Sequence, residues 1–388
     1  MLASYSDIYS DPRVRRQVDW LLGDGWSVDV LGLGSESPDG VRDTFTLSTP
    51  PKWVTSRLGY LATGALLPRR LSFRRQLLDQ IPTLAKSRVK NGEYDLVVLN
   101  ELEFLPWLAD RTALGKAATE TRIHLDLHEK HAYKRRRGTL GARLAAPYYR
   151  WQYRQIANSN ISSRTVVNKP IGDLYADELG IPSPTPIRNM PPYEDLQPVD
   201  RGDGKIKLLF HGLANRERGL QEIVEAMGCL PSNFEATFML MPNPEMHSWL
   251  QGLIDESPAR DRIGIVPPAP MREIAERINS YDLEVIYFPH PGPNLLYALP
   301  NKFFESIQGR LGIITRSDGL MGPIVQEAGN GLTVDEHSGA ALCEALKELT
   351  PEAVQEMKSA SHLLARELNA QSEGTTFVNV ATSGTLRL

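Results

Sequence analysis

LPNKFFESIQGRLGIITRSDG, residues Leu299 to Gly319, reads as a helix feeding a buried strand. Pro300 fits as the last extended residue and Asn301 as a helix N-cap. Phe303, Phe304 and Ile307 form an apolar helical face that ends at Gly309, and LGIITRS then has the continuous apolar character of a strand inside a parallel sheet. Lys302 falls in the first helical turn, where a cation opposes the helix dipole unless an anion is nearby. Glu305 lies one turn after Asn301 and shares its face. On spacing alone, an ordinary amphipathic helix with exposed Lys302 and Glu305 is the better reading.

Outward from this stretch the same alternation repeats. KIKLLFHG (Lys205–Gly212), FEATFMLM, RIGIVP and LEVIYFP read as strands, with helices over Leu220–Met227, Met271–Ile278 and Pro351–Leu368. In the first half, WSVDVLGLG, YDLVVLN (Tyr94–Asn100) and RIHLDLH (Arg122–His128) read as strands, and Arg13–Leu22 and Leu105–Ala118 as helices. Strands alternating with helices predict parallel sheets with helical crossovers. Six prolines between Pro182 and Pro198, followed by RGDGK, have linker composition. The expected units are residues 1–185, 186–365 and a tail, 366–388, that packs back on the first. The last residues are weak in any pattern.

The chain has 388 residues, enough for two α/β domains, with 41% hydrophobic and 23% charged residues, as in a folded soluble protein. Net charge is -4, but residues 1–190 carry +7 and the remainder -11. The positive charge concentrates between Lys52 and Arg154, densest at Arg69, Arg70, Arg74, Arg75 and Lys134–Arg137. Such a field favours an anionic partner: interleaved Trp53, Leu58, Tyr60, Leu61, Leu66 and Leu67 suit an interfacial helix beside anionic lipid, with a solvated helix face as the alternative, and no recognised nucleic-acid-binding motif accompanies the charge. Two cysteines, Cys229 and Cys343, are too few for a disulfide framework or a cysteine-rich zinc site, and a reducing cytoplasmic setting is the simplest expectation. The first residues lack the layout of a secretion signal, and no run reaches the ~18 apolar residues of a membrane span, so a meeting with the inner membrane face would be peripheral.

Two segments carry candidate chemistry. HGLANRERG leads from the end of a strand through Gly212, Arg216 and Arg218 to Gly219 at a helix start, where free amides and two guanidinium groups can receive phosphate. A plain glycine turn with two solvated arginines fits the segment equally. In the second segment, Glu305 can accept hydrogen bonds from a ribose diol, as acidic residues do in other Rossmann sites.

The order of elements, with DPRV (Asp11–Val14), DLHE (Asp126–Glu129), HG…RG and LPNKFFE…G, resembles the GT-B glycosyltransferases, in particular the retaining ones of family four, over roughly residues 1–370. The resemblance implies an α/β GT-B fold: two Rossmann-like domains with parallel sheets facing each other across a cleft, an acceptor domain first and a nucleotide-sugar domain second. It implies metal-independent, retaining transfer of a sugar from a nucleoside diphosphate sugar, a co-substrate beside which no cofactor is needed, to a hydroxyl acceptor. That acceptor can be lipid-linked, as in envelope glycoconjugate or polysaccharide synthesis. By the same resemblance Glu305 binds the donor ribose, Arg218 the diphosphate, and His128 faces the transferred sugar. Gly212, Arg216, Gly219, Asn301 and Lys302 complete the donor site, with Pro268 in the segment beside the base and Tyr297 where the family's first motif glutamate would stand. Leu213 replaces the family's arginine after the strand glycine. Arg216 and Lys302 are then the candidates for the missing charge stabilisation, and His128, Arg218 and Lys302 the expected catalytic set.

Three patterns are weaker. GLG at Gly32–Gly34 lacks the third glycine of a dinucleotide fingerprint. His124, His128 and His131 with Glu129 do not have zinc-site spacing, so no metal is expected. Glu101 is expected at a strand end and Glu103 on a loop. Asp11 and Arg13 either face the cleft or serve the helix that follows, with capping favoured for Asp11. A nucleotide-sugar epimerase or hydrolase, or a non-catalytic nucleotide-sugar binder, fits the same scaffold.

Overall fold

Strands in the computed structural model, which describes residues 1–48, 69–131, 140–289 and 292–383, fall into two sheets. The first contains β1 (Leu2–Asp7), β2 (Asp29–Leu33), β3 (Asp43–Thr46), β4 (Leu96–Asn100), β5 (Arg122–Leu127), β6 (Ser163–Val166) and β7 (Thr185–Pro186), in the order β3-β2-β1-β4-β5-β6-β7. The second contains β8 (Ile206–Gly212), β9 (Phe234–Leu240), β10 (Ile263–Val266), β11 (Leu283–Ile286), β12 (Gly312–Arg316) and β13 (Gly331–Val334), in the order β10-β9-β8-β11-β12-β13. Every pairing is parallel. In both sheets the order reverses beside the founding strand, between β1 and β4 and between β8 and β11. Ligands of doubly wound folds bind outside the carboxyl ends of strands at such points.

The chain divides into two compact units: Met1–Arg188 together with the chain from Glu373 onward, and Asn189–Ser372. Continuous apolar strands explain both cores, since a parallel sheet is covered by helices on its two faces. In the first unit Leu2, Val30 and Val98 from the sheet pack against Val14, Val18 and Leu21 of the helix Pro12–Gly23. In the second, Leu208, Phe210, Phe238 and Val285 pack against Leu220, Ile223 and Val224 of the helix Leu220–Met227. Phe303, Phe304 and Ile307 cover the other face with Ile286 and Ile313.

Asp11 caps the first helix, its Oδ1 accepting from the amides of Arg13 and Val14 at 3.1 and 3.2 Å. Arg13 is turned into the interior of the first unit. It is buried, and Nε and Nη2 donate to the two oxygens of Asp126 at 2.7 Å each, while Nη1 donates to the Ile187 carbonyl at 2.7 Å.

Other expectations change. Leu105–Ala118 is not one helix but a 3-10 turn, Leu105–Ala109, and a helical turn, Arg111–Leu114, that ends at Gly115. Met271–Ile278 likewise starts as a 3-10 turn, Met271–Glu273, before the helix Ile274–Ile278. The patternless C-terminal stretch forms the helix Ala370–Thr382, whose Phe377, Val378 and Ala381 enter the core of the first unit. The proline-rich segment is anchored rather than loose: Met190 is fully buried in the second unit, and Arg310 donates to the carbonyls of Glu194 and Leu196. Cys229 and Cys343, expected as reduced thiols, are joined as a disulfide. No helix of the described residues is long and apolar enough to cross a membrane. The segment 51–68 and Lys134–Arg137 lie outside the described residues.

Candidate functional site

Where β8 and β11 diverge, the second unit buries a charged cluster. His211, the penultimate residue of β8, lies between two carboxylates: Nδ1 is 2.9 Å from Glu284 Oε2 and Nε2 is 2.9 Å from Glu305 Oε2. The His211 amide also donates to Glu284 Oε1 at 3.1 Å. Glu284 sits inside β11 in register with Leu209 and Ile313 and is fully buried. A neutral imidazole has one N–H, so only the imidazolium satisfies both contacts. Burial pushes that charged form down, but the flanking Glu284 and Glu305 outweigh it and hold the pKa up at about 9.

Lys302 enters the same cluster from the helix Asn301–Gln308. Its Nζ lies 3.4 Å from the centroid of the Phe210 ring and 3.7 Å from Glu284 Oε1. It is only 6% exposed and has no hydrogen-bond partner among the described residues. Burial pushes its pKa down to about 8, against partial support from Glu284. A buried ammonium with three unused donors is unstable by itself and well suited to an incoming anion. Next to it Gly212 ends β8 at φ 118°, and a side chain added there would meet only the Lys302 methylene and amine, at 3.8 and 4.0 Å. Glu305 completes the rim: Oε2 is committed to His211, while Oε1 has no partner among the described residues and the side chain is 17% exposed.

Downstream of Gly212, Asn215 caps a 3-10 turn, Arg216–Arg218, through the Glu217 amide at 3.0 Å. Arg218 is half-buried over the Phe288 ring at 5.3 Å, and burial lowers its pKa. Arg216 is exposed and lies over the Trp249 ring at 4.7 Å. Gly219 then starts the helix Leu220–Met227 at φ 78°, and a Cβ there would stand 2.2 Å from the Tyr287 carbonyl oxygen. Glycine is therefore required by backbone and space together. Gly219→Ala is expected to destabilise the unit by roughly 2–4 kcal/mol, since positive φ strain adds to overpacking. Chemical denaturation checks this; a change below about 0.5 kcal/mol, the range of ordinary surface substitutions, would mean that the loop moves freely.

The sequence-derived donor residues separate into groups. Gly212, Arg218, Gly219, Lys302 and Glu305 gather around the ends of β8 and β11. Pro268 is half-buried in the loop after β10, and Tyr297 is half-buried at the C-cap of the short helix Pro293–Leu296. Asn301 is not the N-cap: Pro300 occupies that position, and the Asn301 side chain accepts instead from Asn189 Nδ2. Lys302 is not exposed, so the plain amphipathic helix is excluded. His211 and Glu284 were missed. The signal was present, because a glutamate inside the apolar run LEVIYFP is a buried charge that needs a partner.

His128 belongs to the first unit. Its Nε2 lies 2.9 Å from Asn100 Oδ1 and 3.2 Å from Asp126 Oδ2, its amide donates to Glu101, and the Asp126 bond raises its pKa against the effect of burial. Glu101 follows β4 at φ 65° and also pairs with His131. Burial raises the pKa of Glu103. His124 is fully buried between Ser163 and Thr165, at 2.8 and 2.9 Å. Among the described residues no group of three or more His, Cys, Asp or Glu is arranged to hold a metal.

Two fully parallel sheets with reversed strand order, each in its own unit, give the chain a GT-B fold. The chain is similar over 98% of its length to 98% of a sucrose-phosphate synthase from Thermosynechococcus elongatus, with TM-score 0.69 and 16% identity. It matches Anabaena HepE in complex with UDP over 98% of both chains, with TM-score 0.66 and 12% identity. It also matches WaaG, a glycosyltransferase involved in lipopolysaccharide biosynthesis, over 99% of this chain and 100% of that one, with TM-score 0.64 and 12% identity. No family model matches the chain, and no curated protein matches it in sequence.

Proposed function

We propose that this protein is a glycosyltransferase that binds a nucleoside diphosphate sugar in its second unit and transfers the sugar to a hydroxyl acceptor. One observation carries the proposal: a buried ammonium and a carboxylate oxygen, neither with a hydrogen-bond partner among the described residues, flank the glycine end of β8 at the strand-order reversal. A ribonucleoside diphosphate supplies what both lack, phosphate oxygens for Lys302 and a ribose hydroxyl for Glu305. The solved structures of HepE with UDP and with UDP and glucose support this ligand class.

During transfer the anomeric C–O bond breaks and its electron pair leaves on the diphosphate. The acceptor oxygen bonds to the anomeric carbon, and its proton passes to the released diphosphate. Charge grows on the phosphate oxygens in that step, so Lys302 and Arg218 stabilise the transition state more than the bound substrate. Fixed cations supply this charge, and no resident cofactor is assigned. Retention of the anomeric configuration follows from the resemblance to family four, and proton NMR of the first-formed product reads it directly. Arg216, stacked on Trp249, is a weaker candidate for phosphate contact than Lys302 or Arg218. For the acceptor, the basic first half of the sequence favours an anionic molecule, lipid-linked or at an anionic membrane surface.

A thermal-shift screen of nucleoside diphosphates identifies the base, because a ligand of the folded state raises apparent stability. With the best of them, Glu305→Ala and Arg218→Ala are each expected to weaken binding by roughly 10-fold or more, the usual value of a charged hydrogen bond. Intact affinity and turnover in both variants would refute the site. Conversion of a nucleotide sugar without acceptor would favour an epimerase or hydrolase instead.

A further inference from the structure

The donor-site proposal leaves His211 and Glu284 without a task, yet they are the most deeply buried charged groups around the site. Each contact of His211 reaches a carboxylate, Glu284 on β11 and Glu305 on the helix Asn301–Gln308. Glu284 is 0% exposed, and its other neighbour is Lys302, whose Nζ stands 3.7 Å from Oε1. A glutamate side chain near a helix surface rotates among several conformers, and ordering it opposes binding. Here one oxygen of Glu305 is pinned before any ligand arrives. Its second oxygen remains partnerless among the described residues and can accept a bond from a hydroxyl group.

We propose that His211 is a positioning residue, an imidazolium held by Glu284 that fixes Glu305 so that its Oε1 reads a ribose hydroxyl and selects ribonucleoside over deoxyribonucleoside diphosphates. The proposal rests on the donor-site assignment above. Without a donor at the position of His211 Nε2, nothing would hold Glu305 beside Glu284, and its side chain would turn toward solvent. Glu284 thus acts at one remove: it keeps His211 charged and oriented, as the acidic member of a hydrogen-bonded chain commonly does.

Two variants separate positioning from simple support of the fold. In His211→Asn the shorter amide can replace Nδ1 and keep Glu284 bonded, leaving Glu305 loose. In His211→Gln the longer amide can replace Nε2 and keep Glu305 held. Calorimetric titration uses UDP, GDP and ADP, their 2′-deoxy and 3′-deoxy counterparts, and pyrophosphate as the probe without ribose.

The wild type is expected to prefer a ribonucleoside diphosphate over a deoxy counterpart by about 10-fold, the worth of one charged hydrogen bond. His211→Gln should keep most of that preference. His211→Asn should bring it to within about twofold of unity, while pyrophosphate affinity stays unchanged to the same precision. Preference retained in His211→Asn would overturn the inference while leaving the donor site standing. So would equal loss in both variants, or parallel weakening of pyrophosphate. A wild type that binds no nucleoside diphosphate would overturn both.

Discussion

Lys302→Met is expected to make the protein more stable and nearly inactive. The ammonium is buried, has no hydrogen-bond partner among the described residues, and burial pushes its pKa from 10.5 down to about 8. Holding it charged at neutral pH thus destabilises the native state, by on the order of 2–4 kcal/mol. Methionine fills similar volume against Phe210 without that burden, and Glu284 still has His211 as counter-ion. The native pKa lies below the unfolded one, so the variant's advantage is full below about pH 8 and fades as pH rises toward 10.5.

Turnover should move the other way, falling about 10²- to 10³-fold, the usual effect of removing one preorganised group that faces developing charge. Wild-type affinity for a nucleoside diphosphate should also fall as pH rises through about 8, and the variant should lack this step. Unchanged turnover with an unchanged pH profile would show that Lys302 only fills space.

Arg13→Leu should be the most damaging single substitution in the first unit. Asp126 is fully buried and takes both of its strongest bonds from Arg13, with Gln17 and Thr165 donating at 2.6 Å each. Burial favours the neutral acid, but the Arg13 charge outweighs this and holds the Asp126 pKa well below 3.8. Removing the guanidinium leaves the buried carboxylate with only Gln17, Thr165 and His128 as partners, at about 3–5 kcal/mol. The stability from this pair is present above pH 3.8 and disappears as pH falls through the lower native value. Urea denaturation of Arg13→Leu and of the double variant Arg13→Leu/Asp126→Leu checks both points. The double variant should recover part of the loss, because no buried charge is then left alone. A loss below about 1 kcal/mol in the single variant would place the pair in the class of exposed ion pairs.

The same DPRV and DLHE segments show why some of the first unit was legible and some was not. Their strand and helix assignments follow from local pattern, and Asp11 capping from its place before Pro12. That Arg13 reaches Asp126 follows from no local rule, since the two are separated by 113 residues. Leu105–Ala118 failed for a local reason: Asp110 caps a new turn, and Gly115 at φ 57° ends it. The helix Ala370–Thr382 has only a weak apolar stripe. It is stabilised by the first unit's core, which sequence pattern cannot supply.

By itself, the sequence determined the parallel α/β class, five of the second unit's six strands (all but β13), the placement of Gly212 and Gly219 at a strand end and a helix start, and that of Lys302 and Glu305 on the helix Asn301–Gln308. These follow from apolar periodicity, glycine positions and helix geometry, all encoded within a few residues. Only the tertiary structure decided what those ends do. It brought His211 and Glu284 together across 73 residues, buried Lys302 over Phe210, and committed one oxygen of Glu305 to His211. The physical reason is desolvation. Whether a charge is a solvated ornament or a poised binding group depends on what excludes water from it, and that is set by packing between distant segments.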